Sequence, residues 1–197
     1  RIELTALTSV LSIINVRSIA VKIDMVPANY DILHQHRPLI PGVKHCNGGG
    51  GLAFIYSKIF PAKTLQTSFK PTTFELQLVG QQIGNIKIKI ANIYRPSHTQ
   101  KTEFLDEFAK LLTAVGLGQN ERLIICGDFN MPGINPTCID DHLASLLDTH
   151  GYMQHVNCAT RHDPRGGDNL LDLLLTVQST THPLVSDVAV ISSHGLS

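Results

Sequence analysis

Residues 123–130, Leu123-Ile124-Ile125-Cys126-Gly127-Asp128-Phe129-Asn130, decide the reading of this chain. The unbroken apolar run ending in Cys126 is the mark of a strand buried on both faces. Gly127 ends the run, and Asp128 and Asn130 then leave its tip two residues apart, ahead of Pro132. In extended chain that spacing turns both side chains to one face. A carboxylate and a carboxamide so placed can position a water or hydroxyl and hold an anion under attack, with a metal supplying positive charge. Gly, Asp and Asn are also turn formers, so the tetrapeptide alone fits a plain strand-to-loop turn equally well.

Working outward, strand signals recur at Ser12 to Ile19, Leu52 to Tyr56, Thr73 to Val79, Asn85 to Tyr94 and Leu170 to Val177. Between them, Phe104, Leu105, Phe108, Leu111 and Leu112 fall at helical intervals, which predicts a helix over Thr102 to Val115 with Thr102 as its N-cap. A second short helix is expected over Asp140 to Leu147, with Leu143, Leu146 and Leu147 turned inward. Connections rich in Ser, Gly and Pro fall at Pro38 to Gly51, Arg95 to Gln100, Met131 to Pro136 and His162 to Gly167. No repeat or linker divides the chain, and strands interleaved with helices predict one α/β layered domain.

Composition narrows the function. Of 197 residues, 43% are hydrophobic, enough for a sizeable core and too many for a disordered chain. Lys and Arg number 16 against 16 Asp and Glu, so no global field draws the chain to a polyanion and any such binding is local. No apolar stretch is long enough for a spanning helix, so no membrane partner is expected. The opening Arg1-Ile2-Glu3-Leu4 reads as the cut end of a longer chain and not as a signal peptide. Cys46, Cys126, Cys138 and Cys158 form no CxxC pair, and a buried Cys126 thiol favours an intracellular setting, nuclear or cytoplasmic.

Other segments carry weaker signals. Tyr94-Arg95-Pro96 closes a strand and offers a phenol and a guanidinium to a phosphate, although an aromatic and a turn proline are ordinary strand-end residues. Asp172 stands in the apolar run Asn169-Leu170-Leu171-Asp172-Leu173, where an unpaired carboxylate is costly. Two roles fit it: orienting a catalytic His or binding a backbone amide. The glycines 48–51 have no Lys-Ser or Lys-Thr after them and read as a flexible arm entering a strand, not as a phosphate loop. The histidines are scattered without paired-ligand spacing.

Taken in order, Asn15-Val16-Arg17-Ser18, Tyr30-Asp31-Ile32-Leu33, the glycine run into Leu52-Ala53-Phe54-Ile55-Tyr56, and Phe74-Glu75 form the first half of one pattern. Asn92-Ile93-Tyr94-Arg95-Pro96, Ile124 to Asn130, Thr160-Arg161-His162 and Leu171-Asp172-Leu173 form the second. This series resembles the endonuclease/exonuclease/phosphatase superfamily, and within it the apurinic-endonuclease-like domain of non-LTR (LINE-type) retrotransposon polyproteins. The resemblance implies a four-layer α/β sandwich of two mainly antiparallel sheets flanked by helices, with the site at the sheet edges. It implies Mg²⁺-dependent nicking of duplex DNA, which exposes a 3′-hydroxyl for a reverse transcriptase domain downstream in the parent chain. Residue by residue, it implies that Asp128 and Asn15 serve the metal site, Asp128 orients or activates the attacking water, and Tyr94 contacts the scissile phosphate. Asn130, Arg95 and His162 would contact substrate, and Asp172 would orient a catalytic His.

Two departures from the family's pattern shape the expectations. The family carries a Glu-Thr-Trp segment after the Asp-Ile-Leu strand, its Glu being the main metal ligand. Here Asp31-Ile32-Leu33 runs into His34-Gln35-His36-Arg37-Pro38 with no acidic residue before Gly51, as if a block near residues 34–47 were deleted. The family also closes on Ser-Asp-His, whereas this chain stops at Ser197. The expectation is therefore one incomplete domain over 1–197, truncated at both ends, with an inner strand short of a neighbour, weak Mg²⁺ binding and impaired catalysis. The alternatives are a non-catalytic DNA-binding or decayed remnant, or a superfamily phosphatase acting on a lipid or inositol phosphate.

Overall fold

A computed structural model describes residues 2–6, 9–16, 26–37, 51–115, 117–163, 167–178, 184–185 and 188–190. Two sheets form an α/β sandwich. The first holds β1 (Ile2–Ala6), β2 (Ser9–Val16), β3 (Tyr30–His36), β4 (Gly51–Ser57) and β13 (Ala189–Val190) in the order β13-β1-β2-β4-β3. The second holds β5 (Ala62–Thr64), β6 (Glu75–Ile83), β7 (Ile86–Tyr94), β8 (Glu121–Asp128), β9 (Tyr152–Gln154) and β12 (Asp172–Val177) in the order β5-β6-β7-β8-β12-β9. A separate hairpin pairs β10 (Arg161–Asp163) with β11 (Gly167–Asn169). The described pairings are antiparallel except β7 with β8, which run parallel and are joined by helix α1 (Lys101–Ala114). A parallel pair needs such a crossover, whereas its antiparallel neighbours β6 and β7 need only a tight turn at Gly84.

The strand expectations hold with shifted bounds. Leu123 to Gly127 are buried on both faces, as the unbroken apolar run requires. β7 begins exposed at Ile86 and Lys87 and is fully buried from Ile90 to Ile93, so its alternation gives way as it enters the middle of the sandwich. β2 ends at Val16, and the expected continuation to Ile19 lies outside the described residues. The inner strand β4 does not lack a neighbour, contrary to expectation: β2 pairs it on one side and β3 on the other, from Tyr30↔Ser57 to His36↔Gly51. Both described helices belong with the six-stranded sheet, and the helices expected over the other sheet have no counterpart among the described residues.

Helix α1 buries Phe104, Phe108, Leu111 and Leu112, four members of the predicted stripe, and leaves Leu105 partly buried at its margin. Its N-cap is Gln100, with no side-chain cap bond, and not Thr102, which lies within the first turn. Helix α2 (Asp141–Thr149) starts at Asp140, whose carboxylate accepts from the His142 and Leu143 amides and so satisfies two otherwise orphaned donors. Phe74, Phe104, Phe108 and Phe129 meet with ring centroids 5.5–6.4 Å apart, mostly edge to face. That geometry suits the ring quadrupoles, and it anchors Phe129, the third residue of Gly-Asp-Phe-Asn, in the core.

Between the sheets the contact is partly polar. Gln77 and Asn92 are each 1% exposed. Gln77 Nε2 donates to the Leu33 carbonyl at 3.0 Å, Asn92 Nδ2 donates to Gln77 Oε1 at 3.2 Å, and Gln35 Nε2 donates to the Leu76 carbonyl at 2.8 Å. Buried amides cost free energy unless bonded, so these side chains fix β3 against β6 in one register.

Candidate active site

Four strands finish in one line. Glu75 opens β6, Tyr94 closes β7, Asp128 closes β8 and Asp172 opens β12, and they are successive register partners: Glu75↔Tyr94, Tyr94↔Asp128 and Asp128↔Asp172. Partners in register share a face of the sheet, about 4.8 Å apart from strand to strand. Two residues further in, Gln77, Asn92 and Cys126 occupy the same face, and Gln77 and Asn92 bond across to the other sheet. The row therefore stands at the rim of the space between the sheets.

Asp128 and Asn130 are held by local geometry. Gly127 sits at φ +131°, and a Cβ there would meet the Ile93 carbonyl oxygen at 1.9 Å, so only glycine lets β8 lie this close to β7. Asn130 adopts φ +48°, a left-handed conformation that Asn tolerates better than most residues. Its amide N–H donates to Asp128 Oδ1 at 3.0 Å, its Nδ2 donates to the Arg95 carbonyl at 2.7 Å, and its carbonyl accepts from Arg95 Nη1 at 3.1 Å. With one Nδ2 hydrogen on the Arg95 carbonyl, the Asn130 side chain can offer a ligand its second Nδ2 hydrogen and Oδ1.

The geometry gives Arg95 a different task from the substrate contact expected of it. It is 2% exposed, with its guanidinium over the Phe104 ring at 5.4 Å and Nη2 donating to the Thr99 carbonyl. Burial lowers its pKa, and the nearby Asp140 and Asp128 carboxylates oppose that shift. It fastens the loop after β7 to the loop after β8. Asp172 has its backbone N–H on Thr160 Oγ1 at 3.0 Å, and the neighbouring Leu171 N–H shares that acceptor at 3.1 Å. Burial raises the Asp172 pKa above the ordinary carboxylate value, against the pull of a hydrogen bond with Thr160.

His162 is exposed on β10, outside the row, with Nδ1 2.9 Å from Asp168 Oδ1. Asn15 lies on β2 opposite Leu52; its side chain is outside the described residues. The structure thus brings Tyr94, Asp128, Asn130 and Asp172 together, and it adds Glu75, Arg37 and Thr160. Arg37 Nε donates to Glu75 Oε1 at 2.5 Å, and its guanidinium lies 5.5 Å from the Tyr94 ring centroid. The sequence carried one clue to Glu75, a charged residue opening a strand whose next members, Leu76 to Val79, are all buried.

A divalent metal would find few ligands here. Among the described residues no three His, Cys, Asp or Glu side chains stand close enough to hold an ion. Mg²⁺ prefers several oxygen ligands in near-octahedral array, and Glu75 is already engaged by Arg37. The described donor set does not fit the ion.

A family model described as endonuclease-reverse transcriptase matches residues 88–196, and the chain belongs to that family. No curated protein matches the chain significantly. Among solved structures, the endonuclease domain of TRAS1, a telomere-specific non-LTR retrotransposon, aligns with TM-score 0.55 at 13% identity, over 81% of this chain and 76% of that one. TDP2 from D. rerio, complexed with a single-strand DNA product, aligns with TM-score 0.57 at 12% identity, over 88% and 72%. The human Nocturnin catalytic domain aligns with TM-score 0.51 at 16% identity, over 76% of this chain and 61% of that one. At these identities the likeness is one of fold. Among the described residues no helix is long and apolar enough to cross a membrane.

Proposed function

We propose that this chain is the endonuclease domain of a non-LTR retrotransposon polyprotein, built to nick duplex DNA for a reverse transcriptase, with catalysis impaired here. The observation that carries the reading is the row Tyr94–Asp128–Asp172 with Asn130 beside it. Strand ends converging at a sheet rim hold reacting groups to sub-ångström tolerance without a deep pocket. Asp128 orients the attacking water, Tyr94 contacts the phosphate with its phenol, and Asn130 donates its second Nδ2 hydrogen to the phosphate. Asp172, whose burial raises its pKa, closes the row and would orient a catalytic His, as the resemblance implies. The Mg²⁺ that the resemblance implies would supply positive charge to the phosphate, and the described donor set does not fit that ion. Loss of such a charge-stabilising group costs about 10²–10³ in rate, which sets the scale of the impairment.

The test is nicking of a supercoiled plasmid, with and without Mg²⁺, by this chain and by Asp128→Ala. Slow nicking that disappears in Asp128→Ala is the expected result. Nicking indifferent to Asp128 removes the row from the chemistry. The lack of a described metal-binding cluster favours one second reading, a non-catalytic DNA-binding remnant. Salt-dependent duplex binding with no nicking would select it.

A further inference from the structure

We propose that Arg37 is the phosphate-binding cation of this site, which rests on the reading of the row as a phosphodiester site. The row itself carries Glu75, Asp128 and Asp172, three carboxyl groups whose ionised forms repel a phosphodiester. Arg95, the arginine next to Tyr94 in sequence, is buried and spends Nη1 and Nη2 on the carbonyls of Asn130 and Thr99. Arg37 differs on each count. It follows β3 directly, on the alternation that sends Gln35 to the Leu76 carbonyl, and its side chain crosses to β6 to reach Glu75. That side chain is 36% exposed.

The way the guanidinium is held points to its use. Glu75 takes the Nε hydrogen, and the Tyr94 ring lies 5.5 Å from the guanidinium carbon. The Nη1 and Nη2 edge has no acceptor among the described residues. That edge is the planar fork that binds two oxygens of a phosphate at once, and a lysine ammonium cannot reproduce it. Arg37 is thus already braced on the two members of the row, Glu75 and Tyr94, that flank the place where Tyr94 would meet a phosphate. A half-exposed ion pair serving only to tie β3 to β6 would contribute about 0–1 kcal/mol and would leave ligand binding untouched.

The experiment is fluorescence anisotropy of a short labelled DNA duplex in EDTA, across a salt series, with the chain, Arg37→Gln, Arg37→Lys and Glu75→Gln. Thermal melting confirms that each is folded. Arg37→Gln is expected to bind about tenfold more weakly, the weight of one charge-assisted hydrogen bond. Its slope of log K against log salt is expected to shrink by about 0.9, the signature of one fewer phosphate neutralised. Arg37→Lys keeps the slope but loses affinity, while Glu75→Gln binds at least as tightly as the parent chain. Unchanged affinity and slope in Arg37→Gln, with the parent chain binding duplex, would overturn the assignment while leaving the site's function standing. If the parent chain binds no duplex, the DNA reading fails, and melting with inorganic phosphate decides Arg37 alone. A phosphate-induced rise that Arg37→Gln abolishes supports the assignment, and no rise overturns it.

Discussion

Arg95 and Asn130 each donate to the other's backbone: Arg95 Nη1 to the Asn130 carbonyl at 3.1 Å, and Asn130 Nδ2 to the Arg95 carbonyl at 2.7 Å. The exchange clamps the loop leaving β7 to the loop leaving β8, so Tyr94 and Asp128 cannot drift apart independently. Arg95→Ala is expected to destabilise the domain by about 2 kcal/mol, because it opens a cavity and strands two partly buried carbonyls. Denaturant unfolding of the variant measures this, and a loss under about 1 kcal/mol would show that the clamp is not structural.

Asn130 separates backbone from side chain. Asn130→Gly keeps the left-handed φ but removes the bond to Arg95, whereas Asn130→Ala loses both. Alanine is expected to melt lower than glycine by an amount on the order of 1 kcal/mol, the cost of a left-handed non-glycine residue. Equal melting would mean that the backbone conformation carries no cost at this position.

Gly127→Ala tests the approach of β8 to β7. The added methyl would sit 1.9 Å from the Ile93 carbonyl oxygen, and this is backbone that cannot swing aside. A loss of roughly 4 kcal/mol or more is expected, with poor recovery of folded protein. A melt near that of the parent chain would contradict the geometry of the β7–β8 pair.

Asp172→Asn is expected to raise the melting temperature at neutral pH by on the order of 2–4 °C, as residues that serve a site at the expense of stability commonly do when replaced. Burial lifts the carboxyl's folded-state pKa above its unfolded value of 3.8. The folded chain therefore binds the proton more tightly, and stability falls as pH rises through that window. The advantage of the amide should accordingly vanish in acid. A gain that does not depend on pH would assign it to packing instead.

Glu107 behaves in the opposite sense. Burial alone would raise its pKa, but donors from Thr73 and Thr72, including the Thr73 N–H at 2.8 Å and the Thr72 N–H at 2.9 Å, outweigh that and hold it below the ordinary value. Its contribution is present above the unfolded pKa of 4.5 and is lost as pH falls through the lower folded value. Glu107→Gln should cost about 1 kcal/mol at neutral pH, as the loss of a capping carboxylate does, and little in acid. Melting curves across pH read both, and a deficit that persists in acid would contradict the linkage.

Much of this was legible in the sequence because burial and backbone constraint leave strong local marks. Leu123 to Cys126 read as a doubly buried strand, Phe104 to Leu112 as a helical face, and Gly127-Asp128-Phe129-Asn130 as the exit from strand to loop. What could not be read depends on partners remote in the chain. Arg95 looks the same in sequence whether it faces a phosphate or a carbonyl 35 residues away. Glu75 and Arg37 meet across two sheets, a contact with no local pattern. The short strands β5, β9, β10 and β11, three residues each, are too brief for any periodicity to show.

The row across β6, β7, β8 and β12 also constrains how this domain can change by inserting or losing residues. Removing one residue from β8 upstream of Asp128 would send its carboxylate to the opposite side of the sheet. Removing two would restore the side but move the group about 6.6 Å along the strand, out of line with Tyr94 and Asp172. Length can therefore drift in the turns and connections, while within these four strands the number of residues is as constrained as their identity.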